Sequence, residues 1–264
     1  MSKRKVLSSI FGVIFIAGFS FGFFLKSQYV APILMYHSVH PGAAPGNRLA
    51  VSAEVFERQM RFLKRQNYNV LPLEELADLI RHKKRIPPKS VAITFDDGYK
   101  NNYTYAFPIL KKYNLPAMIF IITNEVGRPG GDRLSWDEIS QMRDSGLITF
   151  GSHALGPEPL TNIKSEEQLR REIFDSRKVL REKLSQKVNI FSYPGGGFNA
   201  QIRQLVIDAG YKGAVTTSPG KKFPNDDIFA LKRLRISATC DNLFVFWIES
   251  SGFYTFIKEH RDSD

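Results

Sequence analysis

The 264-residue chain is long enough for one well-buried core, and 43% hydrophobic with 24% charged residues excludes a disordered or fibrous protein. A single cysteine, Cys240, excludes an internal disulfide framework. The net charge of +11 comes from scattered basic residues without a nucleic-acid module, so no nucleic-acid partner is expected, and the excess suits an anionic membrane surface or an acidic polymer.

Residues 1–5 carry Lys3, Arg4 and Lys5, and Val6 to Leu25 follow as twenty residues without a charge. At about 1.5 Å per residue such a helix spans roughly 30 Å, the thickness of a bilayer core. Basic residues ahead of it stay cytoplasmic, which places everything after Lys26 outside the cytoplasm. The expectation is therefore one transmembrane anchor over 6–25, a tether over 26–31 and one domain over 32–264. A cleaved signal peptide is the alternative reading, and it would leave the domain secreted.

In the domain, "ILMYHSV" at Ile33 to Val39 reads as an apolar strand carrying His37, and a Gly- and Pro-rich loop follows. Ser52 caps a helix through "SAEVFERQMRFLKRQ", "YNVLPL" is a strand and "LEELADLIRHK" a second helix. Strand "SVAITF", helix "YTYAFPILKKYN", strand "AMIFII", helix "SWDEISQMRDSG" and strand "ITFGSH" come next. A long helix from Ser165 to Leu184, strand "NIFSYP", helix "AQIRQLVIDAG" and strand "GAVTT" complete the series. Strands alternating with helices predict a parallel sheet wrapped by helices, doubly wound or closed as a barrel.

The unusual polar residues all follow strands: His37 after "ILMY", Asp96 and Asp97 after "AITF", His153 after "ITFGS", and a Gly-rich turn after "IFSYP". In parallel α/β proteins these ends converge on one rim, where ligands bind. Adjacent carboxylates can divide labour there, one facing a metal ion and one kept as a general base, which suits hydrolysis. His153 adds a nitrogen donor of the kind zinc favours. An Asp-Gly turn is also the ordinary way to end a strand, so the pair alone decides nothing.

"TFDDGY" at Thr94 to Tyr99, "GSHALGPEPLT" at Gly151 to Thr161 and "FSYPGGGFN" at Phe191 to Asn199 resemble the first three motifs of the polysaccharide deacetylases, the NodB-homology or carbohydrate esterase family 4 proteins. "ILMYHSV" and "VSAEVFERQMRFLKRQNYNVLPLEEL" look more narrowly like the poly-N-acetylglucosamine deacetylase branch. The resemblance runs from about Pro32 to Phe246. It implies a parallel-stranded, distorted (β/α) barrel, with 32–264 as the catalytic domain.

By position, the resemblance makes Asp96 the general base, and Asp97 and His153 ligands of a divalent metal, with zinc the expected ion. The family's second motif reads His-Thr-x-x-His, whereas this chain has Pro157 at the second histidine. Glu158 could then serve as an oxygen ligand, water could complete a weaker site, or the site could be lost and the domain bind glycan without cleaving it. In the third motif Pro194-Gly195-Gly196 stands for Pro-Tyr-Gly, and the Gly195 amide keeps the oxyanion role. The family's late Leu-x-x-His is absent, which points to His37 as the general acid; His40, His82 and His260 receive no role. Tyr99, Trp136, Tyr193 and Pro194 are the expected substrate contacts. The implied reaction is hydrolytic N-deacetylation of N-acetylated amino sugars in an extracytoplasmic glycan, with O-acetyl ester hydrolysis as an alternative use of the same site.

Overall fold

The computed structural model describes residues 29–44, 46–217 and 224–255, so the expected basic segment and anchor at 1–25 lie outside the described residues. No helix among the described residues is long and apolar enough to cross a membrane.

Strands β1 (Ile33–Tyr36), β2 (Ser38–Val39) and β3 (Ala50–Val51) lead into α1 (Ala53–Arg65), whose N-cap Ser52 accepts a hydrogen bond from the Val55 amide. Next come β4 (Asn69–Val70), α2 (Leu73–Arg81), β5 (Ser90–Phe95), α3 (Phe107–Tyr113) and β6 (Ala117–Ile121). The chain continues through α4 (Trp136–Asp144), opened by a Ser135–Glu138 capping box, then β7 (Ile148–Ser152), α5 (Glu166–Arg170) and α6 (Ser176–Leu184). It ends with β8 (Ile190–Ser192), α7 (Ala200–Asp208), β9 (Gly213–Val215), β10 (Leu234–Arg235) and α8 (Leu243–Ser250). The expected "ILMYHSV" strand is thus two strands broken at His37, and "YNVLPL" contracts to β4. The helix expected from Ser165 to Leu184 runs through, with a wider turn at Arg171–Asp175 between α5 and α6.

The main sheet has the order β10-β1-β5-β6-β7-β8-β9, with β4 added beside β5, and every pair in it is parallel. It curls into a half-barrel of the expected distorted (β/α) kind. One run of chain spans its two edges. Ile228 and Leu231 bond along β9 through Ala214 N–H to Ile228 O and Thr216 N–H to Leu231 O, and β10 then pairs with β1.

Strand side chains alternate between two cores. Leu34, Tyr36, Ile93, Phe95, Ile119 and Phe191 pack outward against the helices. Ile33, Ala92, Met118, Phe120, Ile190 and Val215 fill the lumen, and Leu73, Leu76 and Ala77 of α2 pack onto them. Period two then puts Asp96 in register with lumen residue Ala92, and His37 with Ile33. At Gly151 an added Cβ would sit 2.5 Å from the Phe120 ring, so β7 needs glycine where Phe120 crosses the lumen.

Candidate active site

The reactive group begins at the end of β5. Asp97 and Gly98 both take positive φ, +68° and +64°, which swings the chain off the strand within two residues. On a continuing strand the two carboxylates would point to opposite faces. Here both reach one imidazole, with His153 Nε2 3.4 Å from Asp97 Oδ1 and 3.9 Å from Asp96 Oδ2. Gly98 makes the second left-handed step easy, since φ +64° is a conformation that residues with a Cβ rarely adopt.

His153 follows β7, is 4% exposed, and places Nδ1 2.8 Å from the Ser192 carbonyl oxygen. A carbonyl only accepts, so Nδ1 carries hydrogen and Nε2 is left facing the carboxylates. Burial pushes the His153 pKa down, but Asp96 and Asp97 outweigh it and the net shift is upward.

Asp96 is 1% exposed and lies in a two-pronged ion pair with Arg233: Nη1 to Oδ1 at 2.6 Å and Nη2 to Oδ2 at 2.7 Å. Arg233 is fully buried, and it also donates from Nε to the Thr216 carbonyl at 2.7 Å and from Nη2 to Ser192 Oγ at 2.9 Å. Burial alone would raise the Asp96 pKa, yet the Arg233 and His153 charges hold it well below the carboxylate range. Asp96 is thus an ionised base at any physiological pH. Sequence reasoning missed Arg233. The available signal was an arginine in "LKRLRIS", a basic stretch beginning at Leu231.

His37 sits beside this pair because Tyr36 is in register with Phe95, and Asp96 N–H bonds to the Tyr36 carbonyl. It is 8% exposed, and its Nδ1 is buried without a hydrogen-bond partner among the described residues. Burial lowers its pKa, while Asp96 and Asp97 pull the other way. Asp96, Asp97, His153 and His37 are therefore brought together as the sequence led one to expect.

Other expected residues fall elsewhere. Tyr193 follows Ser192 with outward parity, so it is fully buried, stacks on Phe198 at 4.4 Å and donates to the Phe229 carbonyl; it offers no face to a sugar. Pro194 is buried as well. Trp136 packs on the outer core with the Lys183 ammonium 5.8 Å from its ring, a contact with α6. One face of Tyr99 is covered by the Arg133 guanidinium at 3.9 Å. Gly195 is exposed with φ +66°, and the Gly196 amide bonds to the Tyr193 carbonyl, which fixes the turn.

Glu158 is exposed and accepts a hydrogen bond from Asn162, so the structure does not join it to Asp97 and His153. Pro157 is also exposed. The loop takes this course because Glu172, in the wide turn after α5, accepts from the Leu155 and Gly156 amides at 3.0 and 2.9 Å. Among the described residues no group of three or more His, Cys, Asp and Glu side chains is placed to hold a metal. Asp97 and His153 nonetheless supply two adjacent donors of types that zinc accepts, with the His153 tautomer set by Ser192. The residues present fit a divalent cation with two protein ligands, leaving its other positions to water or substrate.

A family model described as polysaccharide deacetylase matches residues 83–214. YxkH of Bacillus subtilis is 34% identical over 220 residues, covering 83% of this chain and 76% of that protein. A poly-beta-1,6-N-acetyl-D-glucosamine N-deacetylase of Staphylococcus aureus is 31% identical over 198 residues, covering 71% and 68%. Among solved structures, the Streptococcus pyogenes deacetylase PplD in complex with acetate is similar with a TM-score of 0.72 and 28% identity, covering 79% of this chain and 93% of that one. IcaB from Ammonifex degensii is similar with a TM-score of 0.73 and 26% identity, covering 84% and 97%.

Proposed function

Because this chain belongs to the polysaccharide deacetylase family, hydrolases of carbon–nitrogen bonds, we propose that it removes N-acetyl groups from amino sugars of an extracytoplasmic glycan in a metal-dependent reaction. The observation that carries this reading is the Asp96–Asp97–His153 cluster, with Asp96 and His153 buried, Asp97 half-buried and Asp96 kept ionised by Arg233. The similarity to the Staphylococcus aureus enzyme supports a β-1,6-linked N-acetylglucosamine polymer as the first substrate to try.

In this mechanism Asp97 and His153 would hold the cation. When bound, it polarises the acetamide carbonyl and makes a water molecule more acidic. Asp96 accepts the proton from the attacking water, whose oxygen bonds to the carbonyl carbon. The Gly195 amide donates to the oxyanion that results. His37 delivers a proton to the nitrogen as the carbon–nitrogen bond breaks, leaving acetate and a free amine. Burial shifts the His37 pKa downward, with Asp96 and Asp97 offsetting only part of it, so a protonated His37 gives up its proton readily. The apolar run at 6–25 would anchor the domain outside the cytoplasm.

The deciding experiment measures acetate release from β-1,6-linked N-acetylglucosamine oligomers and from O-acetylated glycans, with and without added zinc, using Asp96→Asn as control. Zinc-dependent release from the N-acetylated oligomers, absent in Asp96→Asn, is the expected result. Release only from the O-acetylated substrate would make the protein an esterase. Glycan binding with no acetate above the control would make it a binding protein that has lost its third ligand at Pro157.

A further inference from the structure

The two ends of the half-barrel differ in charge. In a parallel sheet every helix-to-strand connection lies at the end opposite the reaction rim. The connections from α1 to β4, α2 to β5, α3 to β6, α4 to β7, α6 to β8 and α7 to β9 contain no carboxylate. They do contain Lys83, Lys84, Arg85 and Lys89 before β5, Lys187 before β8 and Lys212 before β9, all exposed. Among the described residues none of the six has a carboxylate partner, and Lys89 donates only to the Gln66 carbonyl. The last turns of α1, α3 and α6 add two cations each. Those helix-end cations answer the helix dipoles, but the six in the connections lie outside the helices and need another reason. Glu74, Glu75, Glu182 and Asp208 on adjoining helices offset part of the charge, Glu74 by way of Asn189 and beside Lys212, while Asp78 and Asp144 are engaged with His82 and Arg143. Loops at the rim carry both signs, as in Glu125 with Arg128 and Asp132 with Arg133.

The chain also enters the domain at this cationic end. Tyr29 leads into β1, and its hydroxyl lies 2.9 Å from the amide of Ser90, the first residue of β5 and the neighbour of Lys89. Only residues 26–28 separate Tyr29 from the uncharged run at 6–25. A tether so short holds whichever face it leaves within about a Debye length, roughly 10 Å at 0.1 M salt, of the surface that the run enters.

We propose that this strand-entry end is a docking face for anionic lipid headgroups, which turns the Asp96–Asp97–His153 rim away from the membrane and toward the glycan. The inference rests on reading 6–25 as a membrane anchor. Basic residues next to an anchor gain from the negative surface potential of anionic lipids. Two anchors of different kind, one apolar and one electrostatic, then fix orientation as well as attachment.

The test uses the full chain on vesicles of phosphatidylcholine alone and of phosphatidylcholine with phosphatidylglycerol. A fluorophore is placed on Gln66→Cys at the cationic end or on Lys164→Cys at the rim end, Cys240 being buried, and quenching by headgroup spin-labelled lipid is read. The expected result is strong quenching at position 66 and little at 164 on the phosphatidylglycerol vesicles. The difference should be lost at high ionic strength and in the triple variant Lys83→Glu, Lys84→Glu, Arg85→Glu. Equal quenching at the two positions, or a difference indifferent to salt, to the triple variant and to phosphatidylglycerol, overturns the docking face. Attachment to phosphatidylcholine alone reports the anchor separately. If that attachment fails while salt-sensitive binding to phosphatidylglycerol vesicles persists, the anchor reading is wrong and the cationic face stands.

Discussion

Arg233 and Asp96, 137 residues apart, face each other through two parallel N–H···O bonds of 2.6 and 2.7 Å, the Arg233 side chain fully buried and that of Asp96 nearly so. The pairing sets the charge of the proposed base, and it ties the span between β9 and β10 to the end of β5. Removing one partner from a buried pair leaves an uncompensated charge, at a cost of about 3–5 kcal/mol. Arg233→Met should therefore lower the unfolding free energy from urea titration by that amount and abolish acetate release. The double variant Arg233→Met with Asp96→Asn should recover most of the stability and none of the activity. Full activity in Arg233→Met would remove the pair from the mechanism.

The metal reading separates residues that sequence treated alike. Isothermal titration with zinc should show binding lost in His153→Ala and in Asp97→Ala. Glu158→Gln should match the wild type, because Glu158 is turned toward Asn162. Weakening by Glu158→Gln of about tenfold or more, roughly 1.4 kcal/mol, would mean that the loop swings in when metal binds.

His37 combines a buried, unpartnered Nδ1 with a place next to Asp96. His37→Phe should lower kcat on glycan oligomers by about 10²–10⁴, the usual span for a general acid, while unfolding measurements show stability unchanged or increased. A fall in stability with unchanged kcat would assign His37 to the fold alone.

Tyr211 gives a pH test away from the site. Burial raises its pKa to about 12 from the ordinary 10.0, the Ser152 and Ser176 hydroxyls offsetting part of the shift, and its hydroxyl donates to the Ile173 carbonyl at 3.2 Å. A folded pKa above the unfolded one means stability that is complete below pH 10 and is lost as pH rises toward 12. That contribution is about 3 kcal/mol. Tyr211→Phe should be less stable by about 1 kcal/mol at neutral pH for the lost hydrogen bond. Chemical denaturation between pH 8 and about 12 should then show the wild type losing its advantage and falling below the variant. Parallel curves for the two proteins would count against a buried, titrating Tyr211.

Much of the fold was legible because period-two alternation and Ser caps are local. The strands at Ser90–Phe95 and Ala117–Ile121 and the capped helices after Ser52, Ser135 and Ser165 stand where their residues put them. The same local logic found Asp96, Asp97, His153 and His37, each placed by the strand before it. Tyr193 was misread because it continues β8 with outward parity, and whether a ring beyond a strand faces sugar or helix depends on what packs there. Trp136 and Glu158 are placed by the same kind of choice: their partners, Lys183 on α6 and Asn162 in the loop, are set by packing.

The sequence by itself determined which polar residues stand at the strand ends, the alternation that aims them inward, and the charge and apolar run on which the membrane proposal rests. Only the tertiary structure decided that Arg233 holds Asp96, that Glu172 steers the Pro157 loop outward, and that the unpaired cations share the end where the chain enters. Those facts join residues far apart in the chain, and closure of a parallel sheet, not local propensity, brings them together.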